Sequence, residues 1–157
     1  MGTFVVNGGK SLSGTLTPQG AKNEALQVIC ASLLTDEAVT IRNIPNIRDV
    51  TNLISLLDAM GVVVSNPVKG TYTFHAKDIN LEYLRSDEFR DKGTSLRGSI
   101  MVLGPLLARF GKGYVPAPGG DKIGRRRLDT HFIGFQRLGA LFSYDQVSRL
   151  YSVDAPT

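Results

Sequence analysis

From Lys22 to Leu34 apolar side chains recur at three- and four-residue spacing, at Ala25, Leu26, Ile29, Cys30 and Leu33, which predicts a helix with one buried stripe. Val50, Leu53, Ile54, Leu57 and Met60 mark a second helix, which Gly61 can end in a left-handed cap. Between the two, Val39 and Ile41 form a strand that Pro45 breaks. Val62 to Ser65 and Thr71 to His75 read as a strand pair around Asn66-Pro67 and Gly70. The first 17 residues alternate weakly, with Phe4 and Val6, then Leu12 and Leu16, around Asn7-Gly8-Gly9-Lys10. That pattern predicts two short strands joined as a hairpin.

The succession then recurs. Ser95 to Phe110 is apolar enough for a largely buried helix, kinked or interrupted at Pro105 and stopped at Gly111. Tyr114 and Val115 make a strand, Asp129 to Leu138 a helix capped by Gly139, and further strands lie near Leu141 and Tyr151. Ser32-Leu33-Leu34 aligns with Pro105-Leu106-Leu107 at an offset of 73, and Met60-Gly61-Val62 with Leu138-Gly139-Ala140 at an offset of 78, five residues more. The extra residues fall in the connection between strand and helix. A repeat of helix, strand, helix and two strands implies equivalent units around a common core, and about three such units usually close one. Two copies suggest a truncated sequence.

Composition narrows the class. Of 157 residues, 42% are hydrophobic and 20% charged, which fits a globular domain rather than a disordered chain. No apolar run approaches the roughly 20 residues of a membrane span, and Met-Gly-Thr-Phe-Val-Val is not a secretory leader, so the cytoplasm is the expected compartment. Cys30 stands alone, sits on the apolar stripe and reads as inert core packing in a reducing compartment. A net charge of +4 points to anionic partners.

The lengthened connection is where that charge concentrates. Pro118 to Asp129 reads Pro-Gly-Gly-Asp-Lys-Ile-Gly-Arg-Arg-Arg-Leu-Asp and combines backbone freedom with four cations and two carboxylates, an anionic-ligand site in outline and otherwise a solvated loop. Lys22, at a helix start after Gly20, stands where backbone N–H groups already favour negative charge. Arg97, beside Leu96 and Ile100, needs a partner, either a carboxylate such as Asp91 or a ligand. Arg126 is a third cation, Asp121 is a salt-bridge partner or an acid–base group, and His131 suits capping or ligand contact. Gly9-Lys10-Ser11 is not a phosphate loop, because Phe4 occupies the position of the required glycine, and His75, His131 and Cys30 lack metal-ligand spacing. Arg125, Arg126 and Arg127 admit a nucleic-acid-binding module, but no aromatic residues interleave with them.

Taken in order, Gly20-Ala21-Lys22-Asn23, Thr40-Ile41-Arg42-Asn43-Ile44-Pro45, Arg48-Asp49-Val50, Leu96-Arg97-Gly98-Ser99, Leu103 to Gly111, Pro118-Gly119-Gly120, Ile123-Gly124, Arg126, Asp129 and His131 resemble the enolpyruvyl transferases. The resemblance is to the branch acting on UDP-N-acetylglucosamine at the first committed step of peptidoglycan synthesis. The alternative is 3-phosphoshikimate 1-carboxyvinyltransferase, which has Asp-Lys-Ser where this chain has Ala21-Lys22-Asn23 and lacks the Pro-Gly-Gly loop.

The resemblance implies an α/β fold, an inside-out α/β barrel of repeated helix–strand units in two lobes of three repeats each, incomplete here. Residues 1 to 21 would be strands of the second lobe, and residues 22 to 157 about two of the three repeats of the first, with Lys22 at a hinge. The implied reaction moves an enolpyruvyl group from phosphoenolpyruvate to the 3'-hydroxyl of UDP-N-acetylglucosamine, releases phosphate and uses neither cofactor nor metal. Lys22, Asn23 and Asp121 would be catalytic; Lys22, Arg97, Asp121 and Arg126 would hold phosphoenolpyruvate. Asn23, Arg97, Arg126, Arg127, Leu128, Asp129 and His131 would contact the sugar nucleotide, with Arg127 in place of the usual proline. Asp121 stands where most members carry cysteine. Its cationic neighbours favour the ionised carboxylate, so it becomes a proton donor only once a bound anion offsets them. Neither nucleic acid nor membrane is an expected partner, and the missing C-terminal portion is.

Overall fold

The computed structural model describes residues 2 to 117 and 128 to 156. Its first repeat follows the hydrophobic pattern closely. Helix α1 (Lys22–Ala31), prolonged by a 3-10 turn over Ser32–Leu34, buries Ala25, Ile29, Cys30 and Leu33. Helix α2 (Arg48–Ala59) lays Val50, Leu53, Leu56 and Leu57 into the same core. Strands β1 (Ala38–Ile41), β2 (Val63–Val68) and β3 (Thr71–His75) pair antiparallel in the order β1-β3-β2, which puts Phe74 of the central strand fully inside. Asn66 and Pro67 stay within edge strand β2 as an irregularity between Ser65 and Val68, the kind of position that tolerates proline in a sheet.

The second repeat has the same topology. Strands β4 (Lys112–Pro116), β5 (Leu141–Asp145) and β6 (Leu150–Asp154) pair in the order β4-β6-β5, with helix α5 (Asp129–Arg137) between β4 and β5. Counted from the strand starts, β4 follows β1 by 74 residues and β6 follows β3 by 79, a difference of five like that in the alignment. Gly61 and Gly139, the matched helix stops, both have positive φ, at 99° and 94°.

Three features depart from the sequence reading. Between residues 2 and 21 no strand forms, and Phe4, Val6, Leu12 and Leu16 are exposed. A two-stranded ribbon is marginal without a third strand or a helix to cover it, and the described residues offer this segment neither. Next, the stretch from Ser95 to Phe110 is not one helix. It runs as a 3-10 segment over Arg97–Val102 and then as helix α4 (Leu103–Phe110). Pro105 lies in the first turn of α4, where its missing N–H costs nothing, so the break precedes the proline rather than following from it. Last, helix α3 (Asp87–Thr94) lies between the repeats and has no counterpart in the hydrophobic pattern. Ser86 caps it by accepting a hydrogen bond from the Phe89 N–H at 3.1 Å, Asp87 and Glu88 fill its first turn, and Phe89 and Gly93 are its buried residues.

Arg109 of α4 ties the repeats together. Its guanidinium donates to the Thr35 carbonyl at 3.1 Å and also to the Ala76 carbonyl, joining the ends of the first helix–turn and of β3 to the second copy's helix. No helix among the described residues is long and apolar enough to cross a membrane.

Candidate active site

The start of α1 is built by close backbone packing. Gly20 passes so near Asn43 that a Cβ there would overlap the Asn43 carbonyl oxygen, and Asn43 itself turns with a φ of 60°. Only glycine fits at that crossing. Ala21 then acts as the N-cap in extended conformation and supplies no side-chain acceptor, so the first N–H groups of α1 have no side-chain cap. A hollow of about 120 Å³ lies between the side of α1 that carries Ala21, Glu24, Ala25 and Val28 and residues 41 to 44.

Lys22 and Asn23 are the first two residues of the helix and both are exposed. The Lys22 ammonium donates to the Asp49 carboxylate at 2.8 Å. Asp49 is a residue that sequence reasoning placed in a motif without giving it a role. The signal for it is half visible, since an acid in the first turn of α2 complements that helix dipole, but a partner 27 residues away is not.

Arg97 opens the 3-10 segment and is half buried, between the buried Leu96 and Ile100. Among the described residues no carboxylate pairs with it, and Asp91, the partner weighed for it, is exposed. The segment leans on α1 at Gly98, where a Cβ would stand 3.4 Å from Leu26. Arg97 is thus carried on an element packed one helical turn along from Lys22 and Asn23.

The remaining sequence-predicted residues follow β4. Ala117 is fixed by its N–H, which donates to the Arg149 carbonyl at 3.4 Å, and Arg149 has a φ of 55°. Asp121, Arg126 and Arg127 lie outside the described residues. Leu128 packs against a second core formed by Ile100, Leu103, Val115, Phe132, Ala140 and Val153, Asp129 starts α5 half buried, and the His131 ring on the first turn is exposed. The structure therefore joins Lys22 to Asp49, with Asn23 next along α1, sets Arg97 on an element packed against α1, and places Leu128, Asp129 and His131 at the start of the second repeat's helix.

Cys30, by contrast, is structural. Burial pushes its thiol up to about 12, so it stays a neutral core atom at physiological pH.

This architecture is that of the enolpyruvyl transferases. The fold matches the enolpyruvyl transferase NikO from Streptomyces tendae with a TM-score of 0.65 and 21% identity, over 94% of this chain and 31% of that one. The sequence profile described as EPSP synthase (3-phosphoshikimate 1-carboxyvinyltransferase) matches residues 6 to 153, and the chain belongs to that family. Within it, the chain is 57% identical to a UDP-N-acetylglucosamine 1-carboxyvinyltransferase of Bacteroides thetaiotaomicron over 99% of its length and 36% of the relative. An enzyme of the same name from Porphyromonas gingivalis is 53% identical over the same shares, and one from Bradyrhizobium diazoefficiens 44% over 87% of the chain and 31% of the relative. The chain thus spans about a third of the length of the curated relatives it matches.

Proposed function

We propose that this chain supplies the first-lobe part of the active site of a UDP-N-acetylglucosamine 1-carboxyvinyltransferase of the cytoplasm. The observation that carries the reading is identity of 53 to 57% to enzymes of that name over 99% of the chain. The family profile bears the name of the shikimate branch, whereas the Bacteroides and Porphyromonas relatives at 53 to 57% identity bear the name of the UDP-N-acetylglucosamine branch. The geometry supports the same reading, because Lys22 and Asn23 open a helix without a side-chain cap and Arg97 rides on the element packed against it.

In this reading Lys22, Arg97 and Arg126 balance the phosphate and carboxylate of phosphoenolpyruvate. The 3'-hydroxyl oxygen of the sugar bonds to C2 while its proton passes to a base outside residues 1 to 157, and C3 takes a proton from Asp121. Loss of a C3 proton and of phosphate from C2 then restores the double bond on the new ether. Asn23 orients the amino sugar, and Arg126, Arg127, Leu128, Asp129 and His131 line the nucleotide. The exposed Phe4, Val6, Leu12 and Leu16 favour residues 1 to 21 as strands of a second lobe that residues beyond 157 would complete.

The test is a chimera in which residues 1 to 157 replace the matching third of the Bacteroides thetaiotaomicron relative. Phosphate release from phosphoenolpyruvate is expected with UDP-N-acetylglucosamine and not with shikimate 3-phosphate; the opposite preference sinks the assignment. Asp121→Asn in that chimera is expected to remove most turnover, and near-normal rates would refute its role as acid.

A further inference from the structure

Of the ion pairs among the described residues, two lie within α3, and only Lys22–Asp49 joins separate helices. Both side chains are 43% exposed, and exposed pairs of that kind add little stability. What the pair does instead is fix an ammonium group in space. Lysine is a point charge on a flexible four-carbon stem, whereas aspartate has a short side chain and here sits in the first turn of α2, where the helix dipole favours its charge. The Val50 and Thr51 N–H groups both donate to the Ile47 carbonyl, at 2.9 and 3.0 Å, so the backbone on which Asp49 stands is set by the opening turn of the helix. The short, anchored member of the pair therefore determines where the long, mobile one points.

We propose that Asp49 is a positioning residue for Lys22. Asp49 accepts one of the three ammonium protons through Oδ2, which leaves two to donate to an anion. The pairing orients Lys22 without saturating it. Asp49 acts through Lys22 and touches no reacting atom, and its own negative charge opposes the same anion, so its removal offsets lost orientation against relieved repulsion. Ground-state affinity changes little, and the loss falls on turnover, where placement of the charge matters most.

The inference rests on the proposed function in so far as Lys22 meets phosphoenolpyruvate, and two measurements separate them. In the chimera, Asp49→Ala is expected to lower kcat about tenfold with KM for either substrate within about twofold, and Asp49→Glu to recover at least a third of the wild-type kcat. A wild-type kcat in Asp49→Ala overturns the positioning role and leaves the functional reading intact; a rise in both KM values with no rescue by glutamate marks a merely structural effect and also overturns it. The second measurement needs no turnover. With lysine labelled at Cε, the carbon-13 order parameter of Lys22 is expected to exceed that of the exposed Lys10, and to fall to that level in Asp49→Ala. Equal order parameters for Lys22 and Lys10 in the unsubstituted chain reject the proposal whatever the chimera does.

Discussion

The two repeats share a strand order and differ in what their helices are asked to bury. At the offset of 78, Leu53, Leu56 and Met60 of the first copy correspond to His131, Gly134 and Leu138 of the second. The first three are inside the core, and the second three are exposed. The cause is the company each helix keeps. α2 packs against α1 and α3 as well as its sheet, whereas α5 rests mainly on β5, held by an aromatic group in which Phe132 lies 4.4 Å from Phe142 and 4.9 Å from Tyr151 between ring centroids. The connections differ in the same sense. Residues 42 to 47 join β1 to α2 tightly, with the Ile44 N–H donating to the Gly70 carbonyl at 2.9 Å, while residues 117 to 128 take twice that length and hold the basic run. Between its first strand and second helix the first copy is short and tightly bonded, whereas the second is longer and carries the charge.

The largest expected effect tests the comparison in the central strands. Phe74→Ala should destabilise the chain by about 3 to 5 kcal/mol, and its equally buried counterpart Val153→Ala by about 2, from the smaller side chain. Urea unfolding of both variants measures the difference. Equal losses would mean that the second core is packed no more loosely than the first.

A pair of glycines sharpens the comparison, because their backbone angles match and their surroundings do not. A Cβ on Gly61 would stand 2.6 Å from the Asp78 carbonyl oxygen, and one on Gly139 would meet nothing within 4 Å. Both substitutions incur the left-handed penalty of about 1 kcal/mol for alanine, and Gly61→Ala adds the clash, for a total of about 2 to 3. Thermal unfolding should therefore rank Gly139→Ala above Gly61→Ala, and the reverse ranking would overturn the packing account.

Arg109 probes the seam between the copies. Arg109→Leu keeps most of the apolar stem and strips a donor from the Thr35 and Ala76 carbonyls, an expected loss of about 2 kcal/mol. Hydrogen exchange should speed up on both sides of the seam, in β3 as well as in α4. Faster exchange in α4 alone would show that the copies are stable independently.

Much of this fold is legible in the sequence because hydrophobic period fixes helices and strands wherever one face is buried. Gly61, Gly111 and Gly139 end their helices as their positions suggest, with positive φ at each. α3 escapes because it buries only Phe89 and Gly93, too little for a period, and its evidence lies in Ser86 and the acids after it. The N-terminal segment misleads for the opposite reason. Its alternation is real, but pairing is a property of neighbours, and Phe4 to Leu16 have none among the described residues. Among the candidate residues the Lys22–Asp49 contact was not legible, since nothing in local spacing links α1 to the first turn of α2. Asp121, Arg126 and Arg127 stand outside the described residues, so their roles rest on sequence alone.

The smallest effect concerns a position where the matched buried helices differ in chemistry. At the offset of 73, Cys30 corresponds to Leu103, and both are buried. The leucine cannot titrate. The thiol can, and burial raises it from 9.0 to about 12 in the folded chain. Above pH 9 the unfolded chain loses a proton that the folded chain keeps, so the unfolded state binds fewer protons and stability falls with rising pH between about 9 and about 12. Below pH 8 both states hold the proton and the term vanishes. Other groups also titrate in that range, so the readout is a difference: the stability advantage of the unsubstituted chain over Cys30→Ala should be constant from pH 6 to 8 and shrink by about 1 kcal/mol at pH 10. An advantage that does not change with pH would mean that the thiolate is accommodated inside the first repeat, and that this core is less closed than the comparison with the second requires.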